Sequence, residues 1–439
     1  MASIFYFLLI LSFIFSTQII FTKSKPLHHS HVPKPEALIF PVVKDNSSHL
    51  HITEFKKRTP LKPISFLIDL NARFLWVNCQ GNYLSSSYNA PHCHSIQCMD
   101  AGARQCHNCL SKQKPGCHNN TCAVPITNPL TRRIAVGELA QDVLSIQTVN
   151  QSIPGTSAIV PRFLFACALS SSLQRFPKNV QGVAALGHAH TALPMQFASN
   201  FGLPPIFAIC LPSSSDKKGV VFFGNTSYAL HPGLDFSRNL YYTPLTIGSQ
   251  GEYLIPVSSI TIHRRHLVIH PKLASKTTGF VSAMISTTTA YTILENSLFR
   301  TIHEVFTSEM LRASRHTRQV KAIEPFTACF ANLTIVPKTD VWAPIIHFTL
   351  HKKNVTWSIL SSNSLVEVEK GLHCLAFVDG GKYKDGHGQA PIVIGAHQLE
   401  DNVVQFDLEQ SRLGFRYALR FSRHSCSAFE FNPSPPQGQ

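Results

Sequence analysis

Phe66-Leu-Ile-Asp69-Leu-Asn71 is an apolar run that ends in a polar turn, and 118 residues after Asp69 the run Val183-Ala-Ala-Leu-Gly187 ends in glycine. The second half repeats the pair in the same order. Met284-Ile-Ser286-Thr-Thr288 is followed, 109 residues after Ser286, by Pro391-Ile-Val-Ile-Gly395. Two such pairs at similar spacing predict a duplicated β lobe. Around them, short apolar or alternating runs recur between turn residues: Ser65–Asp69, Phe74–Val77, Ala158–Ala166, Val220–Phe223, Tyr253–Val257, Val341–Leu350 and Ile392–Ile394. This is strand spacing of an all-β protein. Helical patterns are few, at Pro194–Asn200, Glu295–Leu311 and Ala396–Asp401. The boundary between lobes is expected near Asp235–Tyr242, giving lobes at 51–235 and 236–439. Residues 25–50, His- and Pro-rich at the start, read as a linker or mobile N-terminal strand.

The N-terminal run Ile4–Phe21 is apolar apart from a few hydroxyl and amide residues. It reads as a signal peptide over 1–24, with a signal anchor as the alternative. Either places the rest of the chain in an oxidising compartment. The composition agrees. Only 14% of the 439 residues are charged, below the roughly 25% of an average globular domain, and 30 are Phe, which argues against disorder. No second long apolar run exists, so a multi-span membrane protein is excluded, and after signal cleavage no membrane association is expected.

Twelve cysteines lie beyond the apolar run: Cys79, Cys93, Cys98, Cys106, Cys109, Cys117, Cys122, Cys167, Cys210, Cys329, Cys374 and Cys426. Six disulfides are possible, with the pairing left open. Cys106-His-Asn-Cys109 with His94, His107 and His118 raises a zinc site. A zinc ribbon needs two paired-ligand knuckles, and one CxxC is present, so a disulfide knot without metal or other cofactor is the better reading. Sequons begin at Asn46, Asn119, Asn150, Asn225, Asn332 and Asn354, as in a glycoprotein. The formal charge of +15 suits weak multivalent attraction to an acidic polysaccharide. The cations are scattered, which argues against nucleic acid.

Ile68-Asp69-Leu-Asn-Ala-Arg-Phe74-Leu-Trp-Val77 resembles the first active-site strand of pepsin-like aspartic proteases, where an apolar residue precedes Asp-Thr-Gly-Ser and Leu-Trp-Val follows. Ile285-Ser286-Thr-Thr-Thr-Ala-Tyr-Thr-Ile-Leu294 resembles the plant form of the second site, Asp-Ser-Gly-Thr-Thr-Tyr-Thr. Val183–Gly187 and Ile392–Gly395 resemble the paired apolar-Gly loops below the two aspartates. The resemblance spans roughly residues 50 to 430.

Such an enzyme needs two carboxylates about 3 Å apart that share one proton. One activates water, and the other polarises the scissile carbonyl. Here Asp69 remains, Leu70-Asn71 replaces Thr-Gly, and Ser286 and Thr288 stand where the second Asp and its Gly belong. A Ser hydroxyl cannot share a proton as a carboxylate does. Asp69 is then expected to be an ordinary carboxylate held by nearby hydroxyls. The expected flap Tyr is missing from Asn128–Glu138. Loss of peptidase activity follows.

These departures, with Phe74–Cys79, Pro115–Cys122, Val160–Phe163, Leu193–Ala198, Pro325–Cys329 and His397–Asp401, resemble the plant group of xylanase inhibitors, extracellular dermal glycoproteins and basic 7S globulins. The resemblance implies a secreted protein of the apoplast or cell wall that inhibits microbial glycoside hydrolases, xylanase or endoglucanase, in plant defence. It leaves open a basic 7S globulin type of storage or peptide-binding protein, or a residual aspartic endopeptidase. A retaining glycosidase sets two carboxylates about 5–5.5 Å apart in a cleft, which a protruding cation can answer. The family's inhibitors use Arg or His from loops of the second lobe. The corresponding loop, Val378–Ala390, offers Lys382, Lys384 and His387 but no Arg, which points toward xylanase and away from endoglucanase. Arg318, ahead of Pro325-Phe-Thr-Ala-Cys329, is the second inhibitory candidate.

Overall fold

The computed structural model describes residues 34–150, 153–231, 234–336, 340–382, 390–417, 419–420 and 424–431. The expected signal peptide lies outside the described residues. The polypeptide is β-rich and bilobal, organised by a 14-stranded sheet and several smaller ones.

The large sheet starts with Ala37–Lys44, whose first four residues are all buried. Over the described residues 34–50 the strand alternative holds in place of the linker, and residues 25–33 lie outside the described residues. The His- and Pro-rich residues mask a strand, Ala-Leu-Ile-Phe-Pro-Val-Val, apolar enough to be a sheet interior. It pairs on one edge with Lys218–Phe223 and on the other with His51–Lys57. The connecting turn is built by Asp45, whose carboxylate accepts the Ser48 N–H and the Ser47 and Ser48 hydroxyls. His51–Lys57 alternates buried and more exposed residues, the period of a pleated strand with one face in the core. That face carries Phe55, which stacks on Phe66 with ring centroids 4.4 Å apart. Burying such a ring contributes on the order of 2–3 kcal/mol.

The second lobe returns to this sheet. Val403–Asp407 pairs with Ile206–Cys210, then with Arg412–Arg416, which pairs with Tyr241–Pro244. Phe207 and Phe406 stack at 4.6 Å across that junction, and Tyr253 sits 4.8 Å from Phe406. The rest of the second lobe includes a six-stranded sheet, with Val281–Ile285 and Ile392–Ile394 at its centre, two four-stranded sheets and the two-stranded ribbon Ile335–Val336 with Asp340–Val341.

The helices fall close to their sequence patterns. Leu193–Phe201 has Pro at its first turn and stops at Gly202 in the left-handed conformation. Asn296–Ala313 is capped by Glu295, which accepts the Ser297 and Leu298 N–H groups. Ala396–Leu399 is one short turn. The run expected as one strand over Val341–Leu350 divides into Asp340–Val341 and Ile346–Thr349. Pro344 lies in the gap and has no N–H for the ladder.

All twelve cysteines pair: Cys79–Cys167, Cys93–Cys106, Cys98–Cys122, Cys109–Cys117, Cys210–Cys426 and Cys329–Cys374. Cys93, His94 and Cys106 crowd together, but a disulfide consumes both thiols, leaving a single imidazole. Cys106 and Cys109, the two thiols of the zinc alternative, are both held in disulfides and so are not thiolate ligands.

Candidate site at the paired lobe loops

Asp69 ends the strand Lys62–Asp69, which runs parallel to Val180–Ala185. Ser286 follows the strand Val281–Ile285, which runs parallel to Ile392–Ile394. The two places correspond by topology. Three residues after Asp69, the Ala72 carbonyl accepts the Gly187 N–H at 3.2 Å. Three residues after Ser286, the Thr289 carbonyl accepts the N–H of Ala396, next to Gly395, at 2.8 Å. Both glycines are dictated by crowding. A Cβ on Gly187 would sit 2.4 Å from the Ala72 carbonyl oxygen, and one on Gly395 would sit 2.4 Å from the Tyr291 carbonyl carbon.

The lobes are stitched directly beneath this pair. Thr287 Oγ1 donates to the Ile68 carbonyl at 2.8 Å and accepts the Leu70 N–H at 3.3 Å. Leu70 occupies the mirrored place and has no hydroxyl to return the contact. Asn71 supplies the reverse link instead. Its Nδ2 donates to the Ile285 carbonyl at 3.2 Å, and its Oδ1 accepts the Tyr253 N–H at 3.2 Å. Sequence reasoning registered Leu70 and Asn71 only as departures from a motif. Asn71 in fact substitutes for a missing cross-lobe hydroxyl.

The Asp69 carboxylate is buried, and burial pushes its pKa up to about 6, against opposing hydrogen bonds from the Asn71 and Ala72 backbone. Asn71 N–H reaches Oδ1 at 2.8 Å. This corrects the expected hydroxyl environment: backbone N–H groups hold the carboxylate. The Ser286 hydroxyl turns into its own loop, donating to Thr289 Oγ1 at 3.1 Å, with Thr288 Oγ1 at 3.3 Å. Among the described residues, no second carboxylate hydrogen-bonds Asp69. The arrangement offers one buried acid and one hydroxyl.

The hairpin of Thr121–Thr127 and Ile134–Asn150 turns through residues 128–133. Asn128 locks the turn: its Nδ2 donates to the Ser172 and Gln174 carbonyls, and its Oδ1 accepts the Leu130 and Thr131 N–H groups. No Tyr stands in that turn.

Of the expected inhibitory residues, Arg318 and Lys382 are described, one in a strand and one just beyond a strand of a different sheet. Arg318 is exposed and opens the strand Arg318–Val320, opposite Ala331, in a sheet braced by Cys329–Cys374. Lys382 is exposed just beyond the strand Phe377–Asp379, after Gly381 with φ of 75°. Lys384 and His387 lie outside the described residues. All six sequon asparagines are exposed. Two already serve the fold: Asn119 Oδ1 accepts the Cys109 N–H, and Asn150 Oδ1 accepts the Glu36 N–H.

A buried ionic cluster escaped sequence reasoning. Glu400 lies 2.8 Å from Lys44 Nζ and 3.1 Å from His397 Nδ1, with His51 Nε2 at 3.6 Å. Burial pushes the Glu400 carboxyl up, but His397, Lys44 and His51 outweigh it and hold the pKa below the usual range. His397-Gln-Leu-Glu-Asp401 showed no chemistry as a string. Folded, Gln398 Nε2 also donates to the Asn363 and Ala376 carbonyls, and Asp401 Oδ1 accepts the Cys426 N–H. The segment locks the C-terminal part of the chain against the N-terminal hairpin.

Comparisons with known proteins agree with this geometry. Residues 51–225 match the family model described as Xylanase inhibitor N-terminal, and residues 252–417 match Xylanase inhibitor C-terminal. The chain is 48% identical over 421 residues to Gamma conglutin 1 of Prunus dulcis, covering 95% of each. A solved structure of edgp superposes with a TM-score of 0.85 at 39% identity, covering 91% of this chain and 99% of that one. Conglutin gamma, a basic 7S globulin from lupine seeds, gives a TM-score of 0.81 at 40% identity, covering 91% and 100%. An aspartic proteinase from Irpex lacteus, at 15% identity and a TM-score of 0.56, shares the fold alone. The chain therefore belongs to the xylanase-inhibitor-like family built on the pepsin-like aspartic proteinase fold, together with the gamma conglutins and basic 7S globulins.

Proposed function

We propose that this chain is a secreted glycoprotein without peptidase activity that inhibits microbial cell-wall glycoside hydrolases, xylanase in the first place, from the apoplast or cell wall. The observation that carries the loss of peptidase activity is Ser286. It stands at the place topologically equivalent to Asp69, and its hydroxyl is committed to Thr289. A single buried carboxyl has no partner with which to share a proton. Secretion is supported by six disulfides, which persist in oxidising compartments. The inhibitory reading is supported by both family matches and by exposed Arg318 and Lys382 on a braced β scaffold. Lys384 and His387 extend the candidate loop.

A second reading is a storage or peptide-binding protein of the basic 7S globulin type. It is favoured by the 48% identity with a gamma conglutin. The test is a panel assay of the purified protein against fungal xylanases and endoglucanases, with acid proteolysis measured in parallel. Inhibition that falls on Lys384→Ala plus His387→Ala, without proteolysis, supports the inhibitor. Absence of both activities favours the second reading. Pepstatin-sensitive proteolysis lost on Asp69→Asn would overturn the non-peptidase assignment.

A further inference from the structure

The C-terminal end of the helix Asn296–Ala313 and the hairpin turn at His263-Arg264 border an open cavity of about 400 Å3. Its lining is His263, Glu309, Arg312, Ala313, Thr334 and Trp342. None of these belongs to the site around Asp69 and Ser286. The size falls in the lower part of the range of small-molecule sites, with room for a sugar ring and its linkages.

The polar lining is held in place. Glu309 is 3% exposed and takes Arg265 Nε at 2.9 Å and Arg312 Nη2 at 3.0 Å. Arg265 thereby fixes the acid from behind. Arg312 uses Nη2 on Glu309, keeps 65% of its side chain exposed, and presents its remaining N–H donors outward. Trp342 is half-buried, and its backbone N–H is tied to the Thr334 carbonyl at 2.8 Å. The two sequence segments that border the cavity are basic: His263-Arg-Arg-His266 and Arg312-Ala-Ser-Arg-His-Thr-Arg318. Glu309 is the one acid in the lining.

We infer that this cavity is a subsite for an anionic sugar, a uronate residue of an acidic polysaccharide. The apolar face of the ring lies against the indole. The Thr334 hydroxyl exchanges hydrogen bonds with ring hydroxyls, while buried Glu309 holds Arg312 in place. The uronate carboxylate meets Arg312, whose planar fork suits a carboxylate. The flanking basic segments add only long-range attraction to the neighbouring uronates of the chain. A purely apolar ligand would find only Trp342 and Ala313, and a neutral sugar would leave the basic borders unused. The inference gives the chain's excess positive charge a specific seat and is independent of glycosidase inhibition.

The sequon Asn332-Leu-Thr334 contributes Thr334 to the lining, so the chain's own glycan is the rival occupant. The experiment is calorimetric titration of the full glycoprotein with trigalacturonate and with its methyl ester. The variants are Trp342→Ala, Trp342→Phe, Arg312→Ala, Arg318→Ala and Asn332→Gln. Wild type is expected to bind trigalacturonate and to lose about tenfold or more in affinity on Trp342→Ala, on Arg312→Ala, or on methyl esterification, as expected for loss of roughly 1.4 kcal/mol. Trp342→Phe keeps part of the binding, and Arg318→Ala changes it less than twofold. If Trp342→Ala does not fold, Arg312→Ala and the methyl ester decide. No binding by wild type, or equal losses in Arg312→Ala and Arg318→Ala, overturns the inference in favour of diffuse attraction. Binding that appears only in Asn332→Gln also overturns it, because the cavity then holds the chain's own glycan.

Discussion

Thr287 Oγ1 donates to the carbonyl of Ile68, a residue 219 positions earlier and in the other lobe. The same oxygen accepts the Leu70 N–H, so one hydroxyl satisfies two buried backbone groups across the lobe boundary. Asn71 makes the reverse crossing to Ile285 and Tyr253. The lobes are thus held by an asymmetric pair, one Thr and one Asn.

This asymmetry predicts that each half is separately sensitive. Thr287→Val keeps the shape and removes both hydrogen bonds, leaving a buried C=O and N–H without partners. The expected loss is about 2–4 kcal/mol, since each orphaned buried group costs roughly 1–3 kcal/mol. Asn71→Gly would restore the residue usual in active pepsin-like proteases, yet here it removes the second crossing. A loss of at least about 1 kcal/mol is expected by urea denaturation. Unchanged stability in Asn71→Gly would show that the crossing contributes nothing.

Two buried groups give pH effects of opposite sign. Burial raises the Asp69 pKa from 3.8 to about 6. Between those values the folded state binds the extra proton, so this group's contribution to stability falls as pH rises through the window. The shift of about two units corresponds to roughly 3 kcal/mol at pH 7. Asp69→Asn is expected to raise Tm at pH 7 and to match wild type near pH 4. Burial, partly opposed by Glu400, lowers the His51 pKa from 6.5 to about 4. Between those values the unfolded state binds the extra proton, so stability rises with pH and is lost on acidification. Glu400, Lys44 and His397 act on this imidazole electrostatically. His51→Gln keeps a donor for the Pro212 carbonyl, which His51 Nε2 meets at 3.1 Å. It is expected to flatten the fall in Tm between pH 6.5 and 4, whereas Asp69→Asn steepens it.

What the sequence made legible follows from what each feature depends on. The apolar runs ending at Asp69, Gly187, Ser286 and Gly395 are local patterns, and their repetition exposed the two lobes. The helix Asn296–Ala313 was legible because its apolar period and its Glu295 cap are local as well. The strand Ala37–Lys44 was obscured by the His- and Pro-rich residues before it, and only its pairing with Lys218–Phe223 explains its burial. Partners of Glu400 lie more than 340 positions away at Lys44 and His51, so no local pattern could join them. The cavity at Trp342 is likewise assembled from three distant segments.

The two loop glycines predict a sharp contrast with a third. Gly187→Ala and Gly395→Ala each drive a methyl against backbone at 2.4 Å, where nothing soft can yield. A loss of at least about 3 kcal/mol, or failure to fold, is expected from such overpacking. Gly279 has φ of +72° but open space around its Cβ position. Gly279→Ala therefore costs only the left-handed strain, roughly 1–2 kcal/mol. Equal Tm losses in Gly279→Ala and Gly187→Ala would refute the close-approach argument.

The disulfides should differ in value according to what they close. Cys109–Cys117 spans 8 residues, and its chain-entropy contribution is about 2–3 kcal/mol. Cys210–Cys426 spans 216 residues and ties the C-terminal segment to the strand Ile206–Cys210, with an upper value of about 5 kcal/mol on the same relation. The second bond has further consequences in the folded state. The Cys426 N–H reaches Asp401 Oδ1, and Phe429 packs edge-on against Phe222 at 5.4 Å. Losing the covalent tie should release both contacts and expose the buried Phe222 face. The double variant Cys210→Ser/Cys426→Ser is therefore expected to lose more stability than Cys109→Ser/Cys117→Ser. It should also admit amide hydrogen exchange along residues 206–210 and 218–223 well below the global unfolding free energy. If exchange in those strands stayed as slow as in wild type, the segment would be held by its noncovalent contacts alone, and the assigned role of the Cys210–Cys426 bond would be wrong.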